Sequence, residues 1–378
     1  MPPETSAFVE ENRLSAGRKL LQRLHIDLPL LMSLFILASI GVMILYSAVE
    51  QNNDVVVRQL LRLGLGFVAL FLLAQFSPIT LRRWAPYLYS LGLILLLAVL
   101  ILGVAGKGAQ RWLDLGFFTF QPSEIMKLAV PMMIAWYFAD APLPPTSRRL
   151  TIASVLILVP VLMIAKQPDL GTSLLIASSG FFVLWLAGLS GRLLIGLFII
   201  ITASAPLVWH FLLREYQQQR VLTFIDPDID PQGAGYHITQ STIAIGSGGP
   251  YGKGWLNGTQ SHLDFLPERS TDFIFAVFSE EFGFLGNLLL LAIYLVIIAR
   301  GLIIAAQAQD TFSRLLAGSL TLTFFVYLFV NIGMVIGLLP VVGLPLPLVS
   351  YGGTSLVTLM AAFGILMSIQ THRKLIST

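Results

Sequence analysis

Ten long apolar runs separated by short polar breaks dominate the chain, near residues 28 to 48, 57 to 76, 85 to 104, 123 to 139, 150 to 165, 170 to 187, 192 to 213, 272 to 299, 314 to 338 and 352 to 370. A helix needs roughly 20 apolar residues to cross the hydrocarbon of a bilayer, and it satisfies its own backbone where no water can. With 56% hydrophobic and 11% charged residues, the 378-residue chain carries more apolar surface than a soluble domain could cover. The expected fold is an all-α integral membrane protein, a polytopic bundle of about ten transmembrane helices with a large loop between the seventh and eighth.

Composition removes several classes of function. There is no cysteine, so disulfides, thiol catalysis and thiolate metal sites are excluded. The net charge of +3 is small and scattered, which argues against a nucleic-acid partner. The five histidines show no zinc spacing. Residues 1–27 are polar and lack a small-residue cleavage site before a short apolar core, so they read as a cytoplasmic tail and the first span as a retained anchor. The expected partition is that tail, one membrane domain over 28–370, and a second cytoplasmic tail over 371–378.

Placing the N-terminus inside puts Arg13, Arg18, Lys19, Arg23, Arg82, Arg83, Arg148, Arg149, Arg192, Arg300, Arg314, Arg373 and Lys374, 13 of the 23 basic residues, on the cytoplasmic side. The outer loops are then 105 to 122, 166 to 169, 214 to 271 and 339 to 351, and they hold nearly all the unusual residues. The segment from Arg214 to Thr271 is long for a mere connection. Tyr236, Ile238, Ile243, Ile245, Trp255, Leu263, Phe265 and Leu266 give it apolar anchors, consistent with a short helix lying on the membrane surface.

That loop ends in an acidic cluster, Asp264, Glu268, Asp272, Glu280 and Glu281. Asp272, in LPERSTDFIF, stands at the start of the eighth span, where a carboxylate is costly and by default functional. The bland alternative is a helix N-terminal carboxylate with Thr271 as cap. Neighbouring carboxylates would help raise one of them into the range of a general base. Glu280 and Glu281 lie two or three turns deeper, where pairing with a basic residue competes with a direct role.

Other motifs face the same side. GAQRWLDLGFFTFQPSEIMK carries Arg111, Trp112, Gln121, Ser123, Glu124 and Lys127. Pro122 suits a first helical turn and Glu124 its positive end. Lys127, three residues on, either pairs with Glu124 or offers an ammonium to a phosphate. Trp112 is either an interfacial aromatic or a stacking face for a sugar. KQPDLGTS brings Lys166, Gln167 and Asp169, the last a candidate cap, and PLPLVSYGGTS brings Ser350 with a bendable backbone. Arg214, Arg220, Lys253 and Arg269 make the outer vestibule positive, which suits a phosphorylated or pyrophosphorylated substrate and is equally consistent with plain solvated charge. Asp226, Asp228 and Asp230 open like a calcium loop, but Pro231 and His237 replace the required glycine and glutamate. GSGGPYGKG is not a P-loop, because Ser247 and Gly254 stand where Gly and Ser or Thr are needed.

Taken together, GAQRWL, QPSEIMK, KQPDLGTS, the stretch from RVLTFIDPDIDPQGAGYHITQS to FSEEFG, and PLVSYGGTS resemble the SEDS family of cell-wall membrane proteins (shape, elongation, division and sporulation). The match runs in order along almost the whole chain, with YHITQS and GKGWLNGTQS closer to the elongation branch than to the division branch. Ser270 stands upstream of TDFIF where a His is often found. The resemblance implies a peptidoglycan glycosyltransferase that polymerises lipid II on the outer face of the bacterial cytoplasmic (inner) membrane. It also implies a class B penicillin-binding protein as partner and a place in the elongation machinery. It makes Asp272 the catalytic position, as general base or metal ligand, and gives functional weight to Trp112, Glu124 and Lys127. Arg111, Gln121, Ser123, Lys166, Gln167, Asp169, Arg220, Lys253, Glu268 and Ser350 are the further substrate-binding candidates, with Glu280 and Glu281 as supporting acids. A divalent cation, magnesium or manganese, is one way to meet the pyrophosphate. A lipid II flippase and a noncatalytic scaffold that activates the penicillin-binding protein are the alternatives.

Overall fold

The computed structural model describes residues 24–106, 109–114, 119–211, 213, 215–226, 229–230, 233–259 and 268–373. The chain runs α1 (Leu28–Ala48), α2 (Asn53–Gln75), α3 (Pro78–Leu102), β1 (Val104–Gly106), β2 (Ala109–Asp114), β3 (Thr119–Phe120), α4 (Pro122–Phe138), α5 (Ser147–Lys166), α6 (Leu170–Leu186) and α7 (Gly191–Phe211). It continues with α8 (Glu215–Ile225), α9 (Ala234–Ser247), α10 (Ile274–Ala306), α11 (Thr311–Val335) and α12 (Thr354–Thr371). Eight of these are long and apolar enough to cross a membrane, α6 is a shorter apolar helix, and α4 is the tenth of this bundle. The protein is a multi-pass membrane protein.

Several helices outrun the apolar runs that announced them, because polar capping extends them. Asn52 accepts from Asp54 N and Val55 N and starts α2 four residues before Val57. Ser77 accepts from Thr80 N ahead of Pro78 and starts α3 well before residue 85. Among the described residues, the loop between the seventh and eighth spans contains the helices α8 and α9. One departure from an all-α fold is a small antiparallel sheet of order β1-β2-β3, pairing Val104 with Trp112 and Leu113 with Phe120.

The centre of the bundle is α4, α11 and α12, with the first two turns of α10. A side chain at Gly364 would stand 2.4 Å from the carbonyl oxygen of Leu70, so this glycine lets α12 lie directly against α2. The outward faces of α1, α2, α3 and α5 expose Phe35, Leu65, Ile94 and Leu162, the surface that lipid covers. Arg300 of α10 pairs at 2.5 Å with Asp27, which also caps α1, at the end of the bundle away from Asp272. Asp264 and Arg214, expected in the acidic cluster and the vestibule, lie outside the described residues, as do Leu263, Phe265, Leu266, Arg13, Arg18, Lys19, Arg23 and Lys374.

Candidate active site

A cavity of about 770 Å³ opens at one end of the bundle. Its wall comes from β2, the starts of α4 and α6, His237 of α9, the turn Glu268–Phe273, Tyr327 of α11, and the segment 341–355 that leads into α12. Apolar helices build the frame, and their polar ends converge on one space.

The start of α4 supplies a buried ion pair. Lys127 Nζ donates to Glu124 Oε1 at 2.8 Å and lies 5.6 Å from the centroid of the Tyr327 ring. Glu124 Oε2 is buried without a hydrogen-bond partner, in a residue that lines the cavity. A second charged group lies beside it. Asp169 accepts from Thr172 N at 3.3 Å as the cap of α6, while its other oxygen takes Gln121 Nε2 at 3.1 Å and lies 3.7 Å from Arg111 Nε. Arg111 also donates to the carbonyl of Pro168, and Arg220 to that of Val341 at 3.1 Å. Asp169 is therefore both the helix cap and a wall of the cavity.

Asp272 sits just before α10 and is only partly covered. Its Oδ2 is 3.7 Å from the place a Cβ would occupy on Gly343, so the bare backbone of that glycine leaves room beside the carboxylate. Thr271 does not cap the helix: its hydroxyl donates to Glu268 Oε2 at 2.7 Å, and the N-cap position is Phe273. The main chain here is clamped from outside. Ser350 Oγ donates to Thr271 O at 2.6 Å and accepts from Leu346 N at 2.8 Å, Tyr351 N donates to Ser270 O at 2.8 Å, and Asn331 Nδ2 donates to Asp272 O at 2.9 Å.

Of the residues singled out from sequence, Asp272, Arg111, Trp112, Gln121, Glu124, Lys127, Asp169, Arg220 and Glu268 line the cavity together. Ser123 is buried beside them in α4 without lining it, and Lys166 is exposed at the end of α5. Gln167 turns to the carbonyl of Leu96 at 3.3 Å, and Ser350 holds backbone. Lys253 is taken by Glu280 at 2.7 Å, and Glu281 accepts from Ser47 of α1. Both glutamates are buried away from the cavity.

Sequence reasoning passed over His237, Tyr327, Tyr351, Asn331, Gln59 and Arg62. Gln59 donates to Ser350 O at 3.3 Å, and Arg62 stacks 4.5 Å from the Tyr351 centroid. Polar residues inside an apolar run, as in FVYLFVNIGM or spaced by three in α2, were the available signal. Burial holds the His237 imidazole below its ordinary pKa, against the opposing pull of Glu268 and Asp230.

Among the described residues no three His, Asp or Glu side chains are grouped to hold a metal ion. Glu124 and Asp169 are already engaged by Lys127 and Arg111. A magnesium or manganese ion caged by protein groups alone does not fit this donor set.

The FtsW/RodA/SpoVE cell cycle protein family matches residues 19–375. The chain belongs to that family. Among relatives, the peptidoglycan glycosyltransferase MrdB of Escherichia coli is 55% identical over 355 residues, covering 94% of this chain and 96% of that protein. Among solved structures, a chain of a peptidoglycan synthase complex, described as coordinating polymerization and crosslinking, aligns with a TM-score of 0.79 at 34% identity over 91% of this chain and 97% of its own. The rod shape determining protein RodA of Thermus thermophilus aligns with a TM-score of 0.70 at 28% identity, over 92% and 98%. An FtsW/RodA/SpoVE protein is what the ordered motifs implied, and the bundle has that family's fold.

Proposed function

We propose that this protein is a peptidoglycan glycosyltransferase of the elongation type, which polymerises lipid II into glycan strands on the outer face of the bacterial inner membrane during rod-shape maintenance. The observation that carries this reading is the placement of Asp272 in the same 770 Å³ cavity as Lys127, Arg111 and Arg220. Glycosyl transfer from a polyprenyl-pyrophosphate sugar needs a base at the acceptor hydroxyl and positive charge at the leaving pyrophosphate. Asp272 takes the proton of the acceptor 4-hydroxyl, that oxygen bonds to the donor's anomeric carbon, and the bond to pyrophosphate breaks. The donor already contains its activated bond, so no nucleotide is consumed.

The cations are not free charges, and that shapes their role. Lys127 is balanced by Glu124 and Arg111 by Asp169, so each is held in place before substrate arrives. Trp112, on β2 beside them, offers a flat face to a sugar. The excess of Arg and Lys at the other end of the bundle supports cytoplasmic termini, which puts the cavity outside, where a flipped lipid-linked donor arrives. A class B penicillin-binding protein is the partner we assign, because the strand made here must be cross-linked. The synthase complex is a structural neighbour in which polymerization and crosslinking are coordinated.

The test is polymerisation of labelled lipid II by the detergent-purified protein together with its penicillin-binding protein. Glycan ladders are expected. A folded complex that makes no polymer yet moves lipid II across vesicle bilayers would transfer the assignment to a flippase, and one that does neither would make it a scaffold.

A further inference from the structure

We infer that Lys253 is a positioning residue for Asp272: its pairing with Glu280, with the glycine turn around it wedged into a break in α10, sets the half-helix that presents the carboxylate. The inference rests on the glycosyltransferase reading of Asp272 and names a device that this reading does not require.

α10 is interrupted at Gly283, whose φ of 64° and ψ of −162° are not helical. A break strands main-chain donors and acceptors of the flanking turns. The turn Gly248–Gly254 takes them up. Phe284 N donates to Gly249 O at 2.9 Å and Leu285 N to Pro250 O at 3.1 Å, while Lys253 N donates to Glu280 O and Gly254 N to Glu281 O, both at 3.0 Å. Only glycine allows this approach: a Cβ on Gly252 would stand 2.1 Å from Glu281 O, and one on Gly283 would stand 2.3 Å from Gly252 N. The motif that fails as a phosphate loop is thus a plug for a broken helix.

Side chains lock the plug. Glu280 is fully buried, and its Oε1 accepts from Lys253 Nζ at 2.7 Å, Thr259 N at 2.9 Å and Thr259 Oγ1 at 3.1 Å. Lys253 Nζ also donates to Thr259 Oγ1 at 2.7 Å. A buried carboxylate with a paired ammonium and further donors is stable only as a complete set. Glu280 therefore ties down Thr259 from within the half-helix that begins just after Asp272. The six-residue rise from Ile274 to Glu280 spans about 9 Å and Asp272 lies just beyond its start, so a tilt of about 5° at Glu280 moves Asp272 by about 1 Å. Displacements of that size cost on the order of a hundredfold in rate when a reacting group must be aligned.

The experiment compares Lys253→Ala, Glu280→Gln and Lys253→Arg with wild type, each as the full chain with its penicillin-binding protein. It follows lipid II polymerisation across substrate concentration and hydrogen exchange over residues 248–282. The first two substitutions are expected to lower the saturated rate by about tenfold or more, leave half-saturation within about twofold, and speed exchange at Thr271 and Phe273. Lys253→Arg is expected to recover most of both. Glu280→Gln keeps the acceptor for Thr259 N, so it reports even where Lys253→Ala fails to fold. A saturated rate within about twofold of wild type in a folded variant, or faster exchange confined to Gly248–Thr259, would overturn the inference. If wild type makes no polymer, the functional reading fails, and the exchange at Thr271 and Phe273 still decides whether Lys253 positions this segment.

Discussion

The side-chain amide of Asn331 donates to the main-chain carbonyl of Asp272 at 2.9 Å and to that of Leu344 at 2.8 Å, so one residue near the C-terminal end of α11 ties together two walls of the cavity. Asn331 is fully buried and supplies a donor to each of the two carbonyls. Replacing it with the similarly sized Leu leaves them without this donor, at about 1–3 kcal/mol each. Asn331→Leu is expected to lower the melting temperature and to cost polymerisation more than its loss of folded protein explains. Activity per folded molecule equal to wild type would show that the tie is not needed to hold Asp272.

The Glu124 and Lys127 pair separates stability from catalysis. Lys127→Met alone strands a buried carboxylate, expected to cost about 3–5 kcal/mol, whereas the double change Glu124→Leu with Lys127→Met is expected to restore stability to near wild type. If Lys127 serves the pyrophosphate, polymerisation stays lost in the double variant. Thermal unfolding and ladder assays on the same preparations check this, and an active double variant would assign the pair to folding alone.

His237 gives a pH dependence of known sign. Burial lowers its pKa from the ordinary 6.5, so between 6.5 and the lowered value the unfolded chain binds more protons than the folded one. Its contribution is present above pH 6.5 and is lost as pH falls through the folded pKa. Melting temperatures measured from pH 7.5 to 5 are expected to fall below about 6.5, and His237→Gln is expected to flatten that part of the curve. An identical slope in the variant would remove His237 from the account.

Gly252 is expected to tolerate no side chain. Its φ of 79° costs an alanine roughly 1–2 kcal/mol, and the contact of 2.1 Å with Glu281 O adds to that. Gly252→Ala should therefore destabilise the protein more than Gly191→Ala, where nothing stands within 4 Å of the added carbon. Comparable melting points for the two would contradict the plug at Gly283.

The helices at the apolar runs were legible because hydropathy over 20 residues is set by the bilayer, not by tertiary contacts, although among the described residues eight of them are long and apolar enough to cross it. Asp272, Glu124 and Lys127 were legible for the same reason: charge at membrane depth is costly enough to stand out. The destination of Lys253 was not, because its partner Glu280 lies 27 residues away, on a helix that only folding brings against the glycine turn. Ser350 looked like a ligand contact for want of a visible alternative. Its carbonyl partner, Thr271, is 79 residues distant. His237 was hidden because a lone histidine in a loop has no spacing to mark it. The short sheet before α4 escaped notice because its strands of 3, 6 and 2 residues carry no alternation long enough to detect.

The most direct test of the account is Asp272→Asn in the lipid II polymerisation assay, with matched evidence of folding and of complex formation. The change keeps the side chain's size and removes the base. Glycan ladders from wild type and none from a folded, complexed Asp272→Asn are the expected result; equal ladders from both would take the catalytic role away from Asp272.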